Sequence, residues 1–186
     1  MTRLILAHPV ERSERDRRLS DLGLELSNAE QEPSQAYFEV WMSLDLDDES
    51  VINYVDDLPI GLRYFMVTGD HRWEEGVVAS FPILTEAEVF ERARAARTDP
   101  EQIAATYMVA LVAGPGTRDE ALSVLRASLH HPSEEVRYAA ILASGYTTLS
   151  ALGEDLVELT TRDGSPRVRD RAQRMLQQVA QHGWEE

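Results

Sequence analysis

The chain contains no cysteine and no lysine; all eighteen basic residues are arginine. Without thiols there is no disulfide framework, no thiolate nucleophile and no cysteine-ligated metal. Arginine in place of lysine reads as the codon bias of a GC-rich genome, although its planar fork also suits bidentate pairing with carboxylates. No apolar run approaches the roughly 20 residues that a membrane span requires. The start of the chain, Met1 to Val10, has neither the apolar length nor the small-residue cleavage site of a secretory signal. A cytoplasmic, soluble protein is therefore expected. What the sequence does hold is 186 residues with an apolar fraction of 43%, enough for a packed core in one domain or two small ones. Disorder of the whole chain is excluded.

Charge is the most informative property. The formal net charge is −15 and the sequence pI is about 4.7. A surface this negative repels phosphate backbones and anionic lipid, so no nucleic-acid partner and no membrane surface is expected. The excess is unevenly spread. Residues 1–18 hold five arginines against three acids, whereas residues 19–60 hold eleven acids and no basic residue. Such a window suits a basic protein partner, whose association it would speed in a salt-sensitive way.

Along the chain, residues 1–34 read as an arm, flexible or docked. Glu11 to Arg18 is mixed charge without an apolar stripe, and Pro33 lies in a polar stretch. Residues 35–98 read as a small α/β unit. Phe38, Val40, Met42 and Leu44 alternate with Glu39, Trp41 and Ser43, the period of a strand. Asp47, Asp48 and Glu49 precede Val51, Ile52, Tyr54 and Val55, a spacing that predicts a helix whose positive end the acids face. Arg63 to Thr68 predicts a second strand, Gly76 to Phe81 a third, and Thr85 opens a helix to about Ala96. From residue 99 onward every segment is helical in pattern, punctuated by Gly114-Pro115-Gly116, Pro132, Gly145, Asp163-Gly164 and Gly183.

Two of these helices begin alike. Val136-Arg137-Tyr138-Ala139-Ala140 matches Val168-Arg169-Asp170-Arg171-Ala172, a shared Val-Arg-x-x-Ala 32 residues apart, each after a turn containing proline. A weaker copy starts at Asp99-Pro100, with Ala104 where the arginine would stand. Val and Ala at i and i+4 share one helix face, and the small Ala lets a neighbouring helix approach. The arginine is placed to reach carboxylates or carbonyls of a turn. This pattern resembles the HEAT-repeat family, in a compact form closest to bacterial versions, over residues 99–186. The resemblance implies stacked helix pairs sharing a continuous core, with the α/β unit as a cap. The expected fold class is thus α+β, a small N-terminal α/β unit followed by a short HEAT-like helical stack.

Little chemistry is encoded. Asp45-Leu46-Asp47-Asp48-Glu49 is the best candidate for a hard cation, but it lacks the central glycine and final glutamate of an EF-hand and reads as a solvated acidic turn. His8, His71, His130, His131 and His182 form no i, i+4 pair, so no metal site and no cofactor is expected. There is no nucleophile elbow, phosphate loop or dinucleotide fingerprint, and Asp70, His71 and Ser80 are a triad in name only. Trp41, Tyr54, Tyr64 and Phe65 are expected in the core. Trp73, set among charges, is the aromatic most suited to exposure as an interface anchor, the alternative being a loop side chain folded back on the sheet. HEAT-like proteins mostly bind other macromolecules. The expectation is a non-catalytic module that engages a basic protein through Asp45, Asp47, Asp48, Glu49, Asp56, Asp57 and Trp73. One concrete form is an immunity or antitoxin protein facing a basic toxin. The alternatives are an enzyme or cofactor-handling HEAT-like protein, such as a lyase, and a homodimeric scaffold in which Arg12 to Arg18 docks on a neighbour's acids.

Overall fold

In the structure, a computed structural model, residues 1–31, 36–45, 47–147 and 150–182 are described. They fall into two units, residues 1–85 and 86–186. The first is an open five-stranded antiparallel sheet with two helices; the second is a set of packed helices.

The elements of the first unit run β1 (Thr2–Ile5), α1 (Arg12–Asp21), β2 (Leu24–Gln31), β3 (Tyr37–Ser43), β4 (Val51–Asp57), β5 (Leu62–Thr68) and α2 (His71–Ser80). Strand order is β1-β5-β4-β3-β2, so β2 to β5 form a meander and β1 pairs with β5. Alternation along the strands puts Leu4, Trp41, Ile52, Tyr54, Phe65 and Val67 on one face. Leu19 of α1 and Trp73 and Val77 of α2 cover that face. Each large apolar side chain buried there contributes about 1.5–3 kcal/mol.

Three expectations give way in this unit. Residues 1–34, expected as an arm, supply β1, α1 and β2. Their helix lacks an apolar stripe because its inward face is built from Leu19 and a buried arginine, Arg15. Residues 51–55 form strand β4 instead of a helix. The run of Val51, Ile52, Tyr54 and Val55 fits a helix by spacing, but in β4 Ile52 and Tyr54 point to one face and Val51 and Val55 to the other, and Val55 is buried as fully as Ile52. Residues 76–81, expected as a strand, lie in or just after α2. Asp70 caps that helix by accepting a hydrogen bond from the Arg72 backbone N–H at 2.9 Å, and Trp73 and Val77 share its buried face.

A charged pair sits inside this core. Glu39 is wholly buried on β3 and Arg15 nearly so. Arg15 donates Nε to Glu39 Oε2 at 3.0 Å and Nη2 to Oε1 at 2.5 Å. Tyr37 Oη donates to Oε1 at 2.7 Å, Trp41 Nε1 donates to Oε2 at 3.2 Å, and the Arg15 guanidinium lies 3.8 Å from the Tyr54 ring centroid. A buried carboxylate is tolerable only with such complete pairing.

The second unit contains α3 (Glu86–Ala95), α4 (Asp99–Val112), α5 (Arg118–Leu129), α6 (Glu134–Ala143), α7 (Gly153–Arg162) and α8 (Pro166–His182), with short 3₁₀ turns at Ser144–Tyr146 and Ser150–Leu152. Helices α3 and α4, α5 and α6, and α7 and α8 are joined by short turns and pack as hairpins. Packing between hairpins runs through α4 with α6, α6 with α8 and α5 with α7. Val136, Ala140, Val168 and Ala172 are all buried, as their shared spacing predicts.

Arg137 ties two turns of this unit together. It donates Nε and Nη2 to the two carboxylate oxygens of Asp163, at 2.6 and 3.0 Å, and Nη1 to the carbonyls of His131 and Pro132. Arg169 donates to the Asp163 carbonyl at 2.6 Å. Ion pairs between Arg94 and Glu120, Arg126 and Asp155, and Arg167 and Glu135 join successive hairpins.

Candidate functional site

The loop between β3 and β4 carries the densest negative charge of the first unit. It is ordered by its own backbone and by α2. Asp48 N–H donates to the Asp45 carbonyl at 3.0 Å, and Asp47 N–H donates to Asp45 Oδ1 at 3.2 Å. Asp48 Oδ1 then accepts from the Ser50 N–H at 2.9 Å, while its Oδ2 accepts from Trp73 Nε1 at 2.7 Å and from Arg72 Nη2. Hydrogen bonds from Ser50, then from Arg72, hold the Asp48 carboxyl well below the usual carboxylate range. Ser50 Oγ in turn accepts from the Asp70 N–H at 2.9 Å. This last contact requires close approach of the chain at Gly69, whose φ of +113° suits glycine alone.

The effect is to fix the loop to the start of α2 while its remaining acids point outward. Asp45, Asp47 and Glu49 are exposed, and none forms an ion pair with a described residue. Leu44 beside them is 61% exposed. A shallow groove of about 440 Å³ adjoins the loop, lined by Leu22, Leu44, Asp45, Arg72, Trp73 and Gly76.

The seven expected partner-binding residues separate into distinct sets. Asp45, Asp47 and Glu49 come together on the loop. Asp48 belongs to the same loop but is matched by Arg72 and Trp73. Asp56 and Asp57 lie at the far end of β4, roughly 20 Å of strand from the loop. There Asp56 pairs with Arg63 at 2.9 Å and Asp57 is buried. Trp73 is not an exposed anchor: it is 7% accessible, packed in the core beneath the loop, with its N–H spent on Asp48. Polar neighbours in sequence misplace it because it lies on the inner face of a helix whose outer face they occupy.

Two acids outside the expected set lie on the neighbouring strand, Glu25 at the end beside the loop and Glu30 toward the other end, level with Phe38 and Val55. Glu25 and Glu30 are exposed on β2, and neither has an ion-pair partner among the described residues. β2 meets the loop directly, since Ser43 pairs with Leu24 and the Leu44 N–H donates to the Gly23 carbonyl at 3.1 Å. Only the charge count of residues 19–60 signals them in sequence.

Other candidate chemistry does not assemble. Asp70 and Ser80 stand at opposite ends of α2, about 15 Å apart along its axis. Among the described residues no group of three or more His, Asp or Glu side chains converges as a metal site, and no helix is long and apolar enough to cross a membrane. The arginines of the N-terminal segment are engaged within the unit. Arg12 and Arg15 approach Glu39, Arg17 pairs with Glu14 and Asp21, and Arg18 pairs with Glu14. In comparisons with known proteins, no family model, no curated protein and no solved structure matches the chain.

Proposed function

We propose that the chain is a non-catalytic protein-binding module that engages a basic protein through the acidic edge of its sheet unit. One observation carries this reading. Asp45, Asp47, Glu49, Glu25 and Glu30 are exposed, form no ion pair among the described residues, and all lie on β2 or on the loop that meets its start. A surface acid kept for solubility alone gains nothing from such grouping, because neighbouring like charges repel. Pairing the group with a basic surface relieves that repulsion and speeds encounter. An immunity or antitoxin protein that meets a basic toxin is one such pairing. The engagement of Arg12 to Arg18 within the unit favours a different partner over a second copy.

The helical unit is read as a short HEAT-like stack of three hairpins. The buried Val-x-x-x-Ala faces of α6 and α8 and the Arg137 contacts to Asp163 support it. Its role in this proposal is that of a rigid support, the usual one for stacked helix pairs.

The test is capture of partners from a lysate of the encoding organism, with the natural chain and with Asp45→Asn/Asp47→Asn/Glu49→Gln, at low and at about physiological salt. A single basic protein held by the natural chain, and lost both to the triple variant and to salt, supports the reading. Equal retention by both chains, or recovery of the bait alone at either salt, refutes it.

A further inference from the structure

The two edges of the sheet are treated differently by the fold. On the β1 side, the end of the edge is covered by the segment after α2: the Ala7 N–H donates to the Pro82 carbonyl at 2.7 Å, and the Leu84 N–H donates to the Ile5 carbonyl at 2.8 Å. On the β2 side, residues 25–30 are all exposed, and no described backbone group bonds their outer edge. β2 is eight residues long and contains no proline. An open edge of this length is a template for another strand unless something discourages pairing.

What discourages self-pairing is charge, arranged by a β-bulge. Glu25 and Glu30 are five positions apart, which in a regular strand would put them on opposite faces. The register shift between Leu26 and Asn28 inserts one residue and restores them to the same face. Glu25 pairs with Met42, Asn28 with Val40 and Glu30 with Phe38. The two carboxylates therefore rim an apolar stripe that is itself accessible, with Phe38 36% and Met42 43% exposed. Two copies pairing β2 to β2 would set these glutamates against one another, a destabilising arrangement.

We propose that the outer edge of β2 receives an extended basic segment of the partner by strand addition. The bulge fixes the pattern that such a segment must carry. Glu25 and Glu30 stand four pairing positions apart on one face, so the segment presents basic side chains at i and i+4. Residues i+1 and i+3 then fall on the opposite face beside Leu26 and Ala29, and are apolar. Main-chain hydrogen bonds supply affinity and the side chains supply selection. This inference rests on the basic-partner reading but concerns a different element from the loop that tests it.

The experiment uses the full chain and a synthetic peptide with the core Arg-Val-Thr-Val-Arg, capped at both ends. Binding is followed by amide spectra and by hydrogen exchange. Expected are shifts and new exchange protection along residues 25–30, a loss of binding when the two valine amides are N-methylated, and an affinity lower by about tenfold or more in Glu25→Lys/Glu30→Lys. A peptide with Glu for both Arg should bind that variant better than the natural chain. Absence of binding overturns the inference, as does binding indifferent to N-methylation. Shifts confined to residues 44–50 and abolished by the loop triple variant also overturn strand addition, while leaving the basic-partner reading in place. Concentration-dependent dimerisation that the peptide competes away would identify a second copy as the occupant and overturn it as well.

Discussion

Replacing Arg15 with methionine leaves the wholly buried Glu39 carboxylate with two of its four short hydrogen bonds, those from Tyr37 and Trp41. Arg12 Nε remains near, at 3.6 Å, but on a side chain 61% exposed, and cannot replace a bidentate partner. Breaking a buried ion pair from one side costs about 3–5 kcal/mol, and the surviving donors place this variant near the lower end. Glu39→Leu leaves the Arg15 guanidinium with Asp16 at 3.7 Å and the Tyr54 ring, and a similar loss of about 3 kcal/mol follows. The double variant Arg15→Met/Glu39→Leu removes both charges and fills the space with apolar atoms, so its stability should fall within about 1 kcal/mol of the natural chain. The double-mutant cycle therefore predicts a coupling of roughly 5 kcal/mol. Urea titration followed by emission of Trp41 and Trp73 reports this unit, in a Trp184→Phe background. With a slope of about 1–3 kcal/mol per molar urea, each single variant should lower the midpoint by roughly 1–3 M. Single variants that barely move the midpoint, or a double variant as unstable as the two losses combined, would refute the argument that pairing alone makes this burial tolerable.

Three further outcomes follow from the same contacts. Gly69→Ala sets a Cβ against the Ser50 side chain and Cα at a backbone angle unsuited to alanine; a loss of about 1–3 kcal/mol is expected in the same titration, partly recovered by adding Ser50→Gly. Asp48→Ala removes the bonds from Ser50, Arg72 and Trp73, and amide exchange at Ser50 and Asp70 should accelerate while exchange in β5 is unchanged. Arg137 lowers the folded-state pKa of Asp163, so the stability this pair contributes is full above the ordinary carboxylate pKa and is lost as pH falls through the lower folded value. Thermal melts followed by circular dichroism should show Asp163→Asn destabilised at neutral pH and the difference from the natural chain shrinking in strong acid; a difference constant with pH would count against the pair.

The helical half was legible in the sequence because each helix carries its own punctuation and stripe. Thr98-Asp99-Pro100, Pro132-Ser133 and Asp163-Gly164 mark turns, and Val136 with Ala140 or Val168 with Ala172 marks a buried face. In the sheet half, β3 was legible from its alternation and β5 from its aromatic and β-branched residues beside Gly69. β4 lost that signal through apolar residues on both faces, and α2 lost it through Gly76, Val77 and Val78, which favour a strand locally. Helix α1 offered no apolar stripe at all, since the residue it buries beside Leu19 is Arg15, and its carboxylate partner lies 24 positions away. A pairing between distant positions has no local pattern. The acidic edge was visible as a charge excess and invisible as a place, because the bulge that aligns Glu25 with Glu30 depends on register.

What decides the reading of the acidic window is which charges the fold consumes. Glu39 is matched by Arg15, Asp48 by Arg72, Asp56 by Arg63 and Asp21 by Arg17. Asp57 is buried. These five are spread over α1, β3, β4 and the loop. The described acids that remain are Glu25, Glu30, Asp45, Asp47 and Glu49, which lie on the edge strand β2 and on the loop between β3 and β4. Docking of Arg12 to Arg18 on a neighbour's copy of that edge would exchange one carboxylate for another and, for Arg15, would uncover Glu39. A basic partner from outside makes no such exchange, so the remaining charge favours association with a different protein.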